Sequence, residues 1–321
     1  MMFVIASGLY LSGNVSMTGA PLILFFLTLA LGIRGNENLK GFSFTVLIFA
    51  AVSLSMFYPQ DFVQWGDFQL KKLIVPLLQI IMFGMGTAMS FNDFYGVIKM
   101  PKGVLVGLIC QFSIMPFLGF SLATLFNFPA EIAAGVVLIG SSPSGLASNV
   151  MAYLAKANVA LSVTLTAVAT VVAPFMTPLL MKYFAGAFVP IDFVAMMLSI
   201  VKMVILPVVL GLVFNHFFHG KAKWLDKAMP VVSMTAIALI IMIITAAGRD
   251  SLLSIGILLI LAAIIHNLLG YLLGYWGCRL LKMKEQDCRT IALEVGMQNG
   301  GLASGIALEM GKVSTVGLAP A

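Results

Sequence analysis

The chain has 321 residues, of which 61% are hydrophobic and only 9% are charged, against roughly a quarter charged in a soluble domain. A water-soluble enzyme is excluded. Eighteen Lys and Arg against twelve Asp and Glu leave a net charge of +6, but the basic residues sit in loops and report topology, not a nucleic-acid partner.

Spanning a bilayer takes about 20 apolar residues per helix, so the length allows roughly ten spans and no soluble domain. The N-terminus has neither the features of a signal peptide nor those of a transit peptide. Insertion is therefore expected to rely on the first hydrophobic helices. Apolar runs closed by charged or Gly/Pro-rich turns predict spans at 16–33, 41–59, 73–90, 103–126, 132–155, 159–184, 195–218, 230–247, 253–277 and 289–311. The first is the weakest, being short with a poor lead-in over 1–15. One set of alternate loops holds Arg34, Lys40, Lys99, Lys102, Lys156, Lys221, Lys223, Lys227, Arg279, Lys282, Lys284 and Arg289. The other holds only Lys71, Lys72, Lys182, Arg249 and Lys312. The richer set is expected in the cytoplasm, so the 41–59 span runs outward and the 289–311 span ends outside.

Two spans are interrupted. In 132–155 the run Gly140-Ser141-Ser142-Pro143-Ser144-Gly145 puts helix breakers at mid-span, and in 289–311 the run Glu294-Val295-Gly296-Met297-Gln298-Asn299-Gly300-Gly301 does the same without proline. Unpaired backbone is not tolerated in lipid, so both breaks must be buried in protein or line a wet cavity. Gly-Leu-Ala-Ser occurs at both, as 145–148 and 301–304. That match is weak alone. Paired interrupted segments in corresponding positions nevertheless point to a transport site where two discontinuous helices meet. They are the fifth and tenth spans, an odd offset of five helices, so the repeats are expected to be inverted.

Ten acidic residues fall in or beside loops: Glu37, Asp61, Asp67, Asp93, Glu131, Asp192, Asp226, Asp250, Glu285 and Asp287. Glu309 lies near a helix end. Only Glu294 sits inside an apolar span beside a break, where a carboxylate is costly unless partnered. It reads as a cation ligand or proton carrier, with a hydrogen-bonded structural Glu as the plainer alternative. Hard cations want oxygen ligands, and Ser148, Asn149, Gln298 and the carbonyls of Val295 and Met297 offer them. Ser162, Thr166 and Thr170 recur every four residues and form one stripe, although such hydroxyls often bond back to their own helix. Gln111 is a mid-span amide that needs a partner. His266, beside Asn267, is expected to make a helix–helix hydrogen bond in preference to relaying protons. Lys202 is expected to snorkel if its span begins near Val201. Cys110, Cys278 and Cys288 have no metal-type spacing.

The strings Gln111-Phe112-Ser113-Ile114-Met115-Pro116, Gly145-Leu146-Ala147-Ser148-Asn149-Val150-Met151, Asn158-Val159-Ala160-Leu161-Ser162-Val163 and Glu294-Val295-Gly296-Met297-Gln298-Asn299, together over 41–321, resemble the bile acid:sodium symporter family. That family includes bacterial homologues of the apical sodium-dependent bile acid transporter. The resemblance implies an all-α membrane protein of about ten transmembrane helices, built as inverted five-helix repeats in a panel and a core, with two discontinuous helices crossing. It makes 1–40 an extra N-terminal hydrophobic segment, 41–184 the first repeat and 185–321 an incomplete second repeat of four helices. It implies two sodium ions: one held by Ser148, Asn149, Ser162, Thr166 and Glu294, the other by Gln111, Glu294, Val295, Met297 and Gln298. Substrate is implied near Asn299, Leu146 and Ala147.

Three departures stand out. Many bacterial relatives have Gly-Gly-Thr where this chain has Ser144-Gly145-Leu146, so a hydroxyl that could meet substrate is missing. The sequence stops at Pro320-Ala321, where the family's last helix would begin, so an incomplete chain is expected. Residues 1–40 precede the usual first helix.

The expected function is sodium-coupled import of an organic anion, a bile acid or a small carboxylate such as a pantoate-like acid, by alternating access. Two sodium ions against one carboxylate leave a net positive charge that an anion offsets. The alternatives are a proton-coupled antiporter using Glu294 and a non-transporting ligand sensor. The expected partners are the substrate and the bilayer, with no nucleic acid or obligatory protein. The expected location is the cell membrane, as a multi-pass protein, most simply a bacterial inner membrane.

Overall fold

The computed structural model describes residues 2–12, 15–36, 39–218 and 223–321. Glu37 and Lys221, read above as loop residues, lie outside them. The helices are α1 (Met2–Leu11), α2 (Val15–Arg34), α3 (Ser43–Phe57), α4 (Ile74–Thr87), α5 (Pro101–Leu125), α6 (Ala130–Gly140), α7 (Ala147–Leu154), α8 (Val159–Phe184), α9 (Phe193–Phe218), α10 (Lys223–Ala247), α11 (Arg249–Leu280), α12 (Glu285–Gly296) and α13 (Gly300–Glu309).

Seven of the described helical segments are long and apolar enough to cross a membrane. The other three expected spans are α3, whose 15 residues reach about 22 Å at 1.5 Å per residue, and the two interrupted segments. These divide as expected: α6 gives way to α7 through 141–146, and α12 to α13 through 297–299. Pro143 and the flanking glycines account for the first division. At the second, Asn299 starts a new helix by accepting the Leu302 N–H on its side-chain oxygen at 3.0 Å.

Several boundaries differ from expectation. The weak lead-in is helical as α1, which packs on α2 with the Phe3 and Phe25 rings 5.2 Å apart. Helix α10 runs through Pro230 instead of starting there. Helix α9 begins at Phe193, so Lys202 is not at the head of its span. It lies about 14 Å along the helix, on a π-helical turn, Val201–Ile205. Gln79 donates to the Lys202 carbonyl at 3.3 Å.

The crossing is enclosed by α5, α8 and α11 on one side, and by α4, α9 and α10 on the other. His266 of α11, only 4% exposed, has Nε2 2.9 Å from the Met115 carbonyl of α5. The carbonyl can only accept, so the ring nitrogen donates, giving the expected helix–helix hydrogen bond. Lys312 and Thr315, just after α13, both bond Glu131 at the start of α6, tying together the far ends of the two broken segments. Helices α4 and α9 meet at Gly86 and Gly211, where backbones approach closely as small residues allow in membranes. A Cβ on Gly86 would lie 3.0 Å from Gly211 Cα and 2.9 Å from the Val208 carbonyl carbon. Gly86→Val should therefore destabilise the fold by about 1–3 kcal/mol through overpacking, read as a lower thermal midpoint in detergent; an unchanged midpoint would refute this contact.

Candidate functional site

Glu294 occupies the last turn of α12 and is 2% exposed. No Lys, Arg or His pairs with it among the described residues. Four hydroxyls surround the carboxylate instead. Oε1 accepts from Ser148 at 2.6 Å and from Ser162 at 2.5 Å. Oε2 accepts from Ser144 at 2.5 Å and from Thr166 at 3.0 Å. Ser148 comes from the first turn of α7, and Ser162 and Thr166 from successive turns of α8, where a spacing of four puts them on one face. Thr170, the next in that stripe, turns back to the Thr166 carbonyl at 2.7 Å and takes no part.

The register of α8 against α12 is set at their shared end. Asn158 caps α8 by accepting from Leu161 N–H at 3.1 Å and donates its side-chain amide to Asp287 at 2.7 Å, while its backbone N–H donates to the Thr290 hydroxyl at 2.9 Å and its carbonyl lies 3.0 Å from that hydroxyl. These groups bring the α8 hydroxyls level with Glu294.

The cage is rich in acceptors and short of protons. Ser148 is also 2.8 Å from the Gly145 carbonyl, while Ser162 and Thr166 are also 2.8 and 3.2 Å from Asn149 Oδ1. Each hydroxyl carries one proton, so none of these three serves both acceptors at once. A cation relieves that shortage, since the hydroxyls then turn lone pairs inward and their protons outward. All the groups are oxygens, the ligand type that hard cations take.

The second expected set also converges. Gln111 donates to the Ser142 carbonyl at 2.9 Å and to Gln298 Oε1 at 2.7 Å, and Gln298 donates to the Val295 carbonyl at 2.6 Å. Gln111 Oε1 is buried with no partner among the described residues, an orphan acceptor beside freed backbone carbonyls. The two breaks are bound to each other by an antiparallel bridge between Ser144 and Gln298. Beside that bridge, Gly145 N–H donates to the Met297 carbonyl at 3.0 Å and Asn299 N–H to Pro143 at 2.9 Å. Of the residues expected at the substrate, Leu146 is half-buried and Ala147 exposed at the start of α7. Asn299 is 8% exposed, and its oxygen is taken by the α13 cap, leaving its amide nitrogen for a ligand.

A model of the sodium bile acid symporter family matches residues 75–255. The chain belongs to that family. It is 40% identical to the uncharacterised sodium-dependent transporter YocS of Bacillus subtilis, over 86% of this chain and 84% of that one. It is 36% identical to the probable sodium/metabolite cotransporter BASS1 of Arabidopsis thaliana chloroplasts, over 70% of this chain and 56% of the plant protein. It is 34% identical to the human ileal sodium/bile acid cotransporter, over 74% and 69% respectively. The protein is thus a sodium-dependent, multi-pass membrane transporter and not an enzyme. The family match takes in Gln111, the first break and the α8 hydroxyls of this transporter, and stops short of Glu294.

Reading the sequence missed Ser144, Asn158, Asp287 and Thr290. Ser144 had a visible signal, a hydroxyl inside a Pro/Gly break; the other three act by contacts across the fold. Gln111→Leu should cost about 1–3 kcal/mol in sodium-free detergent, because the buried Ser142 carbonyl then lacks its donor; thermal unfolding measures it, and a neutral change would count against this bond.

Proposed function

We propose that this symporter imports an organic anion with two sodium ions by alternating access. One ion is held by Ser148, Asn149, Ser162, Thr166 and Glu294, the other by Gln111, Glu294, Val295, Met297 and Gln298. The observation that carries this reading is the buried carboxylate in a cage of hydroxyl and amide oxygens with too few protons for its acceptors. The orphan Gln111 oxygen supports the second ion in the same way. Two such ions against one carboxylate leave one net positive charge, which in a low-dielectric site favours an anionic substrate. The anion binds beside the crossing, near Asn299, Leu146 and Ala147, where the N-terminal ends of α7 and α13 present partial positive charge. The substrates we infer are a steroid acid or a small carboxylate of pantoate type. The two broken helices belong in this reading to inverted repeats, 41–184 and 185–321. Sodium orders the crossing, the anion then binds, and the core moves against the panel.

At sodium one hundred times its Kd, binding at one site should stabilise the native protein by about 2.7 kcal/mol. Glu294→Gln should remove this stabilisation together with sodium-driven uptake into proteoliposomes. Sodium stabilisation that survives the substitution sinks the site assignment. Uptake that follows a pH gradient and ignores sodium would favour proton coupling through Glu294.

A further inference from the structure

Ser144 touches both ligand sets through different parts of itself. It sits in the first break, 1% exposed. Its hydroxyl donates to Glu294 Oε2 at 2.5 Å, and its backbone lies opposite Gln298 in the bridge, held there by the Gly145–Met297 and Asn299–Pro143 backbone bonds on either side. Gln298 in turn holds Gln111 and the Val295 carbonyl. One residue therefore links the carboxylate common to both proposed ions with the amide of the second ion's set.

Ser144 also differs from the other three hydroxyls on Glu294. Ser148 has the Gly145 carbonyl as a second acceptor, and Ser162 and Thr166 have Asn149 Oδ1. Each of these can release the carboxylate and turn toward an ion. Ser144 has no second acceptor among the described residues, so its proton stays on Oε2. A movement of the carboxylate onto the first ion then pulls on Ser144, and the bonds on either side of the bridge, Gly145 N–H to Met297 and Asn299 N–H to Pro143, carry that pull to the segment holding Gln298.

We propose that Ser144 is a positioning residue that couples the two sodium sites, so that filling one organises the other. The proposal rests on the two-ion reading above and adds a residue outside both ligand sets. It accounts for a hydroxyl at 144, which faces the carboxylate.

The test is equilibrium binding of radiolabelled sodium to the purified full chain in detergent, with choline replacing sodium to hold ionic strength. Stoichiometry examines the two-ion reading and steepness examines Ser144. The wild type should saturate at about two ions with a Hill coefficient approaching about two, the limit set by the number of sites. Ser144→Ala and Ser144→Gly keep the backbone bridge and lack the hydroxyl. Each should still saturate at about two ions, with the Hill coefficient falling to about one and the half-saturating concentration rising several-fold. Ser144→Thr should restore the steepness. A Hill coefficient unchanged in both hydroxyl-free variants overturns the proposal, as does a loss of thermal stability with steepness kept, which marks a structural role. Wild-type saturation at one ion, or undiminished binding in Glu294→Gln, overturns the two-ion reading itself.

Discussion

The arrangement depends on one buried carboxylate that has no cation of its own. Removing an ionised carboxylate from water costs several kcal/mol even after the protein relaxes, and here no Lys, Arg or His answers Glu294 among the described residues. Four hydroxyls from three segments answer it instead. Hydrogen bonds to a charged group are worth more than neutral ones, yet they leave the negative charge in place. A site of this kind is stable enough to fold and still short of positive charge, which is the condition a sodium-dependent transporter requires.

That carboxylate sits where helical backbone has been given up. Freed N–H and C=O groups at membrane depth must find partners inside the protein, and the two breaks find them in each other, through the Ser144–Gln298 bridge and its flanking bonds. The pairing leaves a second lone pair on the Met297 carbonyl, as the Gln298 side chain does on the Val295 carbonyl. Satisfying the backbone and building an oxygen-lined site are thus one structural solution. The far ends are closed by different means: Asn158, Asp287 and Thr290 where α8 meets α12, and Glu131 with Lys312 and Thr315 where α6 meets the segment after α13.

The surrounding helices supply a firm but divisible frame. Gly86 and Gly211 bring α4 and α9 to backbone contact, while His266 clasps α5 at Met115. The turn around Lys202 is π-helical, a form that frees a carbonyl and is frequent at functional sites; Gln79 takes up that carbonyl. These contacts lie within one side or the other of the crossing: α13 packs on α4 and α9, where Gly305 faces Leu78 and Met203, and α12 packs on α11, where Gly274 faces Val295.

Much of this was legible in the residues. Low charge marked the membrane, and helix breakers in two apolar spans marked both interruptions to within about three residues. Glu294 stood out because it was the only acid inside a span, and the spacing of Ser162 and Thr166 placed both hydroxyls on one face. Local periodicity and the cost of burying charge determine such features without reference to the rest of the fold. Only the tertiary structure decided which hydroxyls turn inward: Ser162 and Thr166 reach Glu294 while Thr170, on the same stripe, bonds back to its own helix. It also decided that Ser144 joins them, that Lys202 lies well inside its span, and that Asn158 and Asp287 set the register. Those outcomes depend on how one helix is placed against another more than a hundred residues away, and a linear sequence carries no local signal for that distance.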